Sequence, residues 1–581
     1  MLLEYLLTLG ILIAFFGLLV GIVLDRRNIL QVMKRNSIGY KQLAIALAIS
    51  FLFIALEVSI VKPTQQLFFD DAIYQGMALD MIHMGQALMC DYGTPVNCFI
   101  GEIFHEPIGT AFNFAIAFLI FGVKRAVAYD TELFLAALSV FLSFFVTSII
   151  TKNNKIGYFT ELFMALSPVI LVWAFPTTSD MPTLAYSMVA LLFVLVFMEG
   201  KNIISLSNAL LSISLLSYMK VVALLYILIF AVIYILLDGN SIADSIKNNL
   251  KLLKSNILNT KILLILLIFI ISMVPETIYT VYESVNGVYG VTMIQNTCSP
   301  SMMPMNYTGR ITFANFRYNF CGNVLFWFNK YSYVYIMQPV IFTIFAIIGS
   351  AFMITQKRFR EFLAIGIWFA IFFLLYTSFY AGGVIYGVDW RFMLSLIYQA
   401  SFFSGIGAWA VFYYIGKLLK IRKFGKNMKA AIAMILFTVL IIVIFYPLYS
   451  LYPLLSINPS SILQAGSARF DENFIYTNIS SIPSNCLVFT YVPYLFNINN
   501  RSAAQMFYLF NNTFMENAQH NYSCLVIDYG YWCETPGNIC TPAMEEYTTT
   551  PLKTAVYSSH GSEFTFGFYK ITGRNMSYVP T

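Results

Sequence analysis

The chain alternates long apolar runs with short polar stretches, and the runs have the length of a lipid bilayer. About twelve reach the roughly 20 residues a helix needs to cross one, near 2–24, 42–61, 126–150, 156–176, 181–198, 202–217, 221–237, 262–280, 333–354, 362–381, 392–414 and 430–449. The polar stretches between them differ in charge. Basic residues collect at Arg26, Arg27, Lys34 and Arg35, at Lys152 and Lys155, at Lys201, at Lys247 to Lys261, at Lys357, Arg358 and Arg360, and at Lys417 to Lys429. These are alternate loops, so excess positive charge predicts that they face the cytoplasm and that the loops between them face outward. Only Glu4 precedes the first apolar run and the positives follow it, which predicts an outside N-terminus and no cleaved signal peptide.

Two stretches break the alternation. Residues 108–123, IGTAFNFAIAFLIFGV, are apolar but short, and counting them as a crossing would move every later basic cluster outside. They are expected to form an interfacial or re-entrant helix anchored by Lys124 and Arg125. The other stretch is KPTQQLFFDDAIYQGMALDMIHMGQALMCDYGTPVNCFIGEIFHEP, which places Asp70, Asp71, Asp80, Asp91, Glu102, His105 and Glu106 between two hydrophobic runs. Its apolar positions Met77, Met81, Ile82 and Met84 predict a helix lying in the membrane interface. Carboxylates held against a membrane are costly and tend to line a water-filled cavity or do chemistry.

After Tyr446-Pro447 the pattern shortens to that of a soluble domain. Cys486-Leu-Val-Phe-Thr-Tyr491 and Cys524-Leu-Val-Ile-Asp-Tyr529 repeat one buried-strand pattern, with a helix expected over Ala503 to Phe510 between them and a further strand over Glu563 to Ile571. Strand, helix, strand implies a parallel pair. Paired in that register, Cys486 and Cys524 start side by side within disulfide reach. Proximity then pairs Cys533 with Cys540, Cys298 with Cys321, and Cys90 with Cys98. The expected organisation is two helices over 1–61, an external loop with interfacial helices over 62–125, a helical bundle over 126–449 and an extracytoplasmic α/β domain over 450–581.

Composition agrees, because 59% hydrophobic and 11% charged residues exceed what any soluble domain of this size accommodates. The net charge of +6 is small for 581 residues and implies no nucleic-acid partner. All eight cysteines and the six Asn-x-Ser/Thr sequons, at Asn306, Asn478, Asn500, Asn511, Asn521 and Asn575, fall in loops assigned to the outside. N-glycans on that face suit an archaeal or eukaryotic cell better than most bacteria, and an archaeal cell membrane is the expectation. The fold class expected is a polytopic α-helical membrane protein of about twelve transmembrane helices with a small C-terminal extracytoplasmic α/β domain.

Four sites share the outer face under this topology: Asp70 and Asp71, His105-Glu106-Pro107, Thr178-Ser179-Asp180, and Asp389-Trp390-Arg391. In their order and spacing over residues 42 to about 400, the segments FFDDAIYQGMA, HEPIGTAFNFAIAFLIFG, SPVILVWAFPTTSDMP and VDWRFMLSL resemble those of the GT-C glycosyltransferases. That family includes the protein O-mannosyltransferases and the lipid A aminoarabinose transferases. The match is imperfect: His105 is followed by Glu-Pro rather than Pro-Pro, and Arg391-Phe392-Met393-Leu394-Ser395 lacks a proline often found there. The resemblance implies a GT-C-like membrane enzyme that takes a sugar from a polyprenyl (dolichyl) phosphate donor and passes it to a protein, glycan or lipid acceptor at the outer face.

Such a transfer leaves positive charge on the sugar and negative charge on the departing phosphate, so it asks for a carboxylate on one side and a cation on the other. Asp70 is the candidate general base, with Asp71 holding the acceptor hydroxyl or a second sugar contact. Arg391, whose fork and permanent charge suit a phosphate, and Lys220, alone in an apolar run, are the candidate phosphate contacts. His105, Glu106 and Asp180 complete the candidate substrate-binding set. Plainer roles stand beside these: Asp180 as a helix cap, Arg391 as a headgroup anchor, and Lys220 as a snorkelling side chain. No cofactor is required and nothing indicates a metal, although a divalent ion is compatible with the chemistry. Asp528-Tyr529-Gly530 is similar to part of the Trp-Trp-Asp-Tyr-Gly motif of oligosaccharyltransferases, but Val526 and Ile527 replace the tryptophans and the segment reads as a strand. The competing functions are an oligosaccharyltransferase-like enzyme using a lipid-linked glycan, and a membrane transporter or receptor. A transporter would place its charges in mid-span and show repeated halves, which this chain lacks.

Overall fold

A computed structural model describes residues 2–61, 63, 70–104, 107–238, 260–285, 339–378, 391–421, 465–534, 538–559 and 562–575, with single helical positions at 431, 434, 435 and 438. The protein is a polytopic α-helical membrane protein carrying a C-terminal sheet domain. Among the described residues, seven helices are long and apolar enough to cross a membrane. Eleven of the twelve expected spans correspond to helical segments, and most of the twelfth, 430–449, lies outside the described residues.

The first helix, α1 (Leu2–Arg35), runs well past the expected end of its span. At 1.5 Å per residue it is about 50 Å long, because Arg26, Arg27, Lys34 and Arg35 are good helix formers that simply carry the helix out of the apolar layer. α2 (Tyr40–Ile60) follows. After α3 (Asp70–Met84), the hairpin β1 (Met89–Thr94) and β2 (Asn97–Glu102), and the short α4 (Gly109–Phe121), the bundle resumes with α5 (Arg125–Thr151). The fourth expected span is broken in two, α6 (Asn154–Ala165) and α7 (Pro168–Trp173), where Ser167 turns extended ahead of a proline that has no N–H to continue the helix. α8 (Asp180–Gly200), α9 (Ile203–Ser217), a 3-10 turn over Val221–Leu224, α10 (Leu225–Leu237), α11 (Thr260–Val285), α12 (Val340–Thr355), α13 (Phe359–Ser378) and α14 (Leu394–Ile421) complete the described bundle. α12 and α14 cross at backbone distance: a Cβ on Gly407 would meet the Phe345 carbonyl oxygen, and one on Gly349 the Phe403 carbonyl oxygen. Glycines at such a crossing let helices associate by van der Waals contact where lipid supplies no hydrophobic drive.

The basic loops converge at one end of the bundle. Lys152 Nζ pairs with Glu199 and donates to Asn36 Oδ1, Arg35 donates to the Glu199 carbonyl, Lys201 pairs with Asp238 at 2.7 Å, and Arg360 donates to the Asp238 carbonyl. The acidic stretch that opens α3 lies at the other end, where it meets the C-terminal domain.

That domain comprises α15 (Ala465–Asn478), β3 (Cys486–Thr490), α16 (Pro493–Ile498), β4 (Ser502–Gln505), α17 (Asn512–Asn521), β5 (Cys524–Tyr529), α18 (Cys540–Glu546), β6 (Tyr547–Ser559) and β7 (Ser562–Arg574). β3 and β5 are parallel neighbours with Cys486 opposite Cys524, as the repeated pattern predicts. Three disulfides follow the expected pairing, Cys90–Cys98, Cys486–Cys524 and Cys533–Cys540; Cys298 and Cys321 lie outside the described residues. The helix expected over Ala503 to Phe510 is instead β4 followed by a 3-10 turn. Ala503 and Ala504 have helical propensity but lie fully buried against Val488 and Phe489 of β3, and the ladder overrides the propensity.

The sheet has seven strands in the order β2-β1-β4-β3-β5-β7-β6. Its β1–β2 edge comes from the loop after α3, so the acidic loop and the C-terminal domain are one sheet. This explains a second departure. α3 is buried on every face through its first three turns, where the sequence pattern predicts an amphipathic helix at the membrane interface. The C-terminal domain covers α3, with Tyr494 of α16 so close to Gly76 that a Cβ there would clash with the tyrosine side chain.

Candidate active site

The site is assembled where the ends of α3, α5, α8, α9 and α14 meet. α8 starts at Asp180, with Ser179 as its N-cap, yet neither forms a side-chain cap. The Asp180 carboxylate turns instead toward Lys220. Lys220 Nζ lies 2.5 Å from Asp180 Oδ1, with both side chains buried, so the lysine does not snorkel. Lys220 is delivered by the break between α9 and the 3-10 turn, and that break is held from below: the Gly109 N–H donates to the Tyr218 carbonyl at 2.7 Å. Only glycine permits this approach, since a Cβ at 109 would fall 2.4 Å from that carbonyl oxygen. The apolar segment at 108–121 thus shapes the site two residues from its lysine.

Arg391 arrives from the first turn leading into α14. Its Nε is 3.6 Å from Asp180 Oδ2, so one buried carboxylate lies between two cations. Phe392 sits under both, 4.5 Å from Lys220 Nζ and 5.1 Å from Arg391 Cζ, and stacks on Tyr376 at 5.2 Å. A ring face between two cations stabilises their crowding. Of the sequence candidates, Asp180, Lys220 and Arg391 are therefore brought into one cluster.

Asp71 lies buried at the start of α3. Its backbone carbonyl accepts from Thr177 Oγ1 at 2.9 Å and from Gln75 Nε2 at 3.2 Å, and Gln75 also donates to Thr177. These bonds tie the α3 N-terminus to the turn that delivers Asp180. The Asp70 side chain, and all of His105, Glu106, Asp389 and Trp390, lie outside the described residues.

Glu132 on α5, two turns into an apolar span, escaped the sequence reading. It is fully buried and within electrostatic reach of both Asp71 and Asp180. An ionisable residue inside a span is itself a functional signal, and it is the one that could have found Glu132. The site is polarised as a result, with carboxylates on the α3 and α5 side, cations on the α14 and 3-10 side, and Asp180 shared between them.

Two further acids are buried apart from this cluster. Asp80 approaches the sulfurs of Cys90 and Cys98 within 4.8 Å, but their disulfide leaves no thiolate to ligate a metal. Burial lifts the Asp80 carboxyl to about 8. Asp528 is buried in β5 and accepts from Thr490 Oγ1 at 2.7 Å, in keeping with a structural strand residue.

No family model and no curated protein matches the chain. Solved structures are similar to it at low identity. One is the archaeal oligosaccharyltransferase AglB from Archaeoglobus fulgidus in complex with an inhibitory peptide and a dolichol-phosphate: 11% identity, 94% of this chain and 75% of that chain covered, TM-score 0.47. ArnT from Cupriavidus metallidurans in the apo state is 12% identical over 91% of this chain and 97% of its own, with a TM-score of 0.49. ArnT bound to undecaprenyl phosphate has 12% identity, 90% and 97% coverage, and a TM-score of 0.46.

Proposed function

We propose that this protein is a membrane glycosyltransferase that moves a sugar from a polyprenyl-phosphate donor to an acceptor hydroxyl at the end of the bundle covered by the C-terminal domain, and that this end faces outward. The observation that carries the reading is the buried Asp180 between Lys220 and Arg391, set across from Asp71 and Glu132. A site with cations at one side and carboxylates at the other matches a reaction whose charge separates in that sense.

In the proposed step the acceptor oxygen forms a bond to the anomeric carbon as the bond from that carbon to the phosphate oxygen breaks. The acceptor proton passes to a carboxylate at the N-terminus of α3, with Asp70 as the assigned base, and the polyprenyl phosphate leaves with the bonding electrons. Lys220 and Arg391 stabilise the phosphate as its charge grows, an interaction stronger in the transition state than in the ground state and therefore catalytic. Burial raises its worth, because the local dielectric is low. Asp180 holds the two cations in place while no phosphate is bound.

Incubation of the purified protein with a panel of polyprenyl-phosphate sugars tests the reading by donor consumption. Release of free polyprenyl phosphate from at least one donor is expected. A folded protein that consumes none, yet moves or binds a solute, belongs to the transporter or receptor class.

A further inference from the structure

Arg125, expected with Lys124 to anchor the interfacial helix over 108–123, reaches instead to the C-terminal domain. Its guanidinium pairs with Glu472 of α15, lies 4.3 Å over the ring of Tyr476 on the same helix, and donates through Nε to Tyr129 Oη at 2.5 Å. Glu472 is 2% exposed and Arg125 21%, so the pair is largely withdrawn from water. A neighbouring acid is equally engaged: Asp471 Oδ2 accepts from the Tyr531 N–H at 2.6 Å, at the C-terminal end of β5.

The cluster leads directly to the candidate site. Tyr129 lies within electrostatic reach of Asp71, and Glu132, one helical turn further along α5, within reach of both Asp71 and Asp180. Glu472, Arg125 and Tyr129 thus form one set of contacts that starts in the C-terminal domain and ends within electrostatic reach of the carboxylate side of the site.

Attachment of the domain does not depend on this pair. The sheet takes β1 and β2 from the loop after α3, α16 packs on α3, and disulfides brace strands and hairpin alike. Buried ion pairs repay their desolvation poorly and add little net stability, but they do enforce a particular geometry. We propose that Arg125 is a positioning residue: clamped by Glu472, it sets the placement of Tyr129 and Glu132 against Asp71, so the C-terminal domain tunes the site it covers. The functional half of this rests on the glycosyl-transfer reading above; the geometric half does not.

The test uses the full chain in nanodiscs with Glu472→Gln, Arg125→Lys, Tyr129→Phe and the charge swap R125E/E472R. Two readouts are taken, turnover with kcat and KM separated, and backbone hydrogen exchange resolved by segment. In Glu472→Gln, faster exchange is expected over 70–76 and 126–132, with β3 and β5 as protected as in the wild type. With an active wild type, kcat should fall about ten- to a hundredfold, the usual cost of a small misplacement, while donor KM changes less than twofold. The charge swap should recover a substantial part of that loss. Unchanged exchange over 70–76 and 126–132 overturns the proposal whether or not turnover is measurable. So does a kcat loss accompanied by loss of protection in β3 and β5, which would make the clamp a mere attachment. A wild type that consumes no donor but shows the expected exchange pattern overturns the glycosyl-transfer reading and leaves the clamp standing.

Discussion

Replacing Lys220 by methionine keeps the length of the side chain and its packing on Phe392 while deleting the charge. At the 2.5 Å separation from Asp180, with 8% and 1% of the side chains exposed, this is a buried pair. Removing one partner of such a pair costs about 3–5 kcal/mol where the other is left alone. Here Asp180 keeps Arg391 at 3.6 Å on its second oxygen, so a smaller loss, about 2–3 kcal/mol, is expected. Asp180→Asn has the opposite character: it leaves two cations facing one neutral amide and should cost more than Lys220→Met. The double variant D180N/K220M should then be more stable than D180N alone, a sign change that only charge coupling produces. Thermal unfolding in nanodiscs gives the stability order. Donor titration gives the functional one, with a loss in kcat/KM of about ten- to a hundredfold for Lys220→Met if a charge-assisted phosphate contact worth about 1.5–3 kcal/mol disappears. Additive effects of the two substitutions on stability, or a donor dependence unchanged within twofold in Lys220→Met, would refute the assignment.

Asp70→Asn should lose about two to four orders of magnitude in turnover with folding intact; a dead Asp71→Asn beside an active Asp70→Asn would swap the two roles. Arg391→Lys should raise the donor KM, because lysine keeps the charge but not the two-pronged geometry, and an unchanged KM in Arg391→Ala would reduce Arg391 to a helix anchor. Loss of the Cys486–Cys524 bond, whose Cα atoms are 4.6 Å apart across neighbouring strands, should destabilise the C-terminal domain by about 3–4 kcal/mol; peptide mapping that links either cysteine to Cys533 or Cys540 would contradict the register. Burial pushes the Asp528 carboxyl up to about 7 from 3.8, with the Thr490 hydrogen bond opposing. A folded-state value raised in this way stabilises the domain fully below about pH 4 and is lost as pH rises through about 7, so Asp528→Asn should flatten the pH dependence of domain unfolding across that window, and an identical slope in the variant would show that another group titrates.

The elements of the bundle were legible because each is a local property. An apolar run long enough to cross is seen without any partner, and alternation of positive charge orders the loops, so the loops around Lys152, Lys201 and Arg360 meet at one end as read. The Cys486 and Cys524 register was legible for a similar reason: two copies of one short pattern can pair only one way if their cysteines are to meet. What needed the tertiary structure is everything whose cause lies far along the chain. α3 reads as half-exposed because nothing near it in sequence reveals that Tyr494 will cover Gly76, and Ala503 reads as helical because nothing near it reveals β3. Arg125 reads as the anchor of the helix over 108–123 because its partner, Glu472, is 347 positions away. Lys220 was a lone cation and Asp180 a plausible cap until folding placed one against the other. Residue types and spacing determined which groups were available for chemistry; desolvation and packing, properties only of the assembled chain, decided which of them share a site.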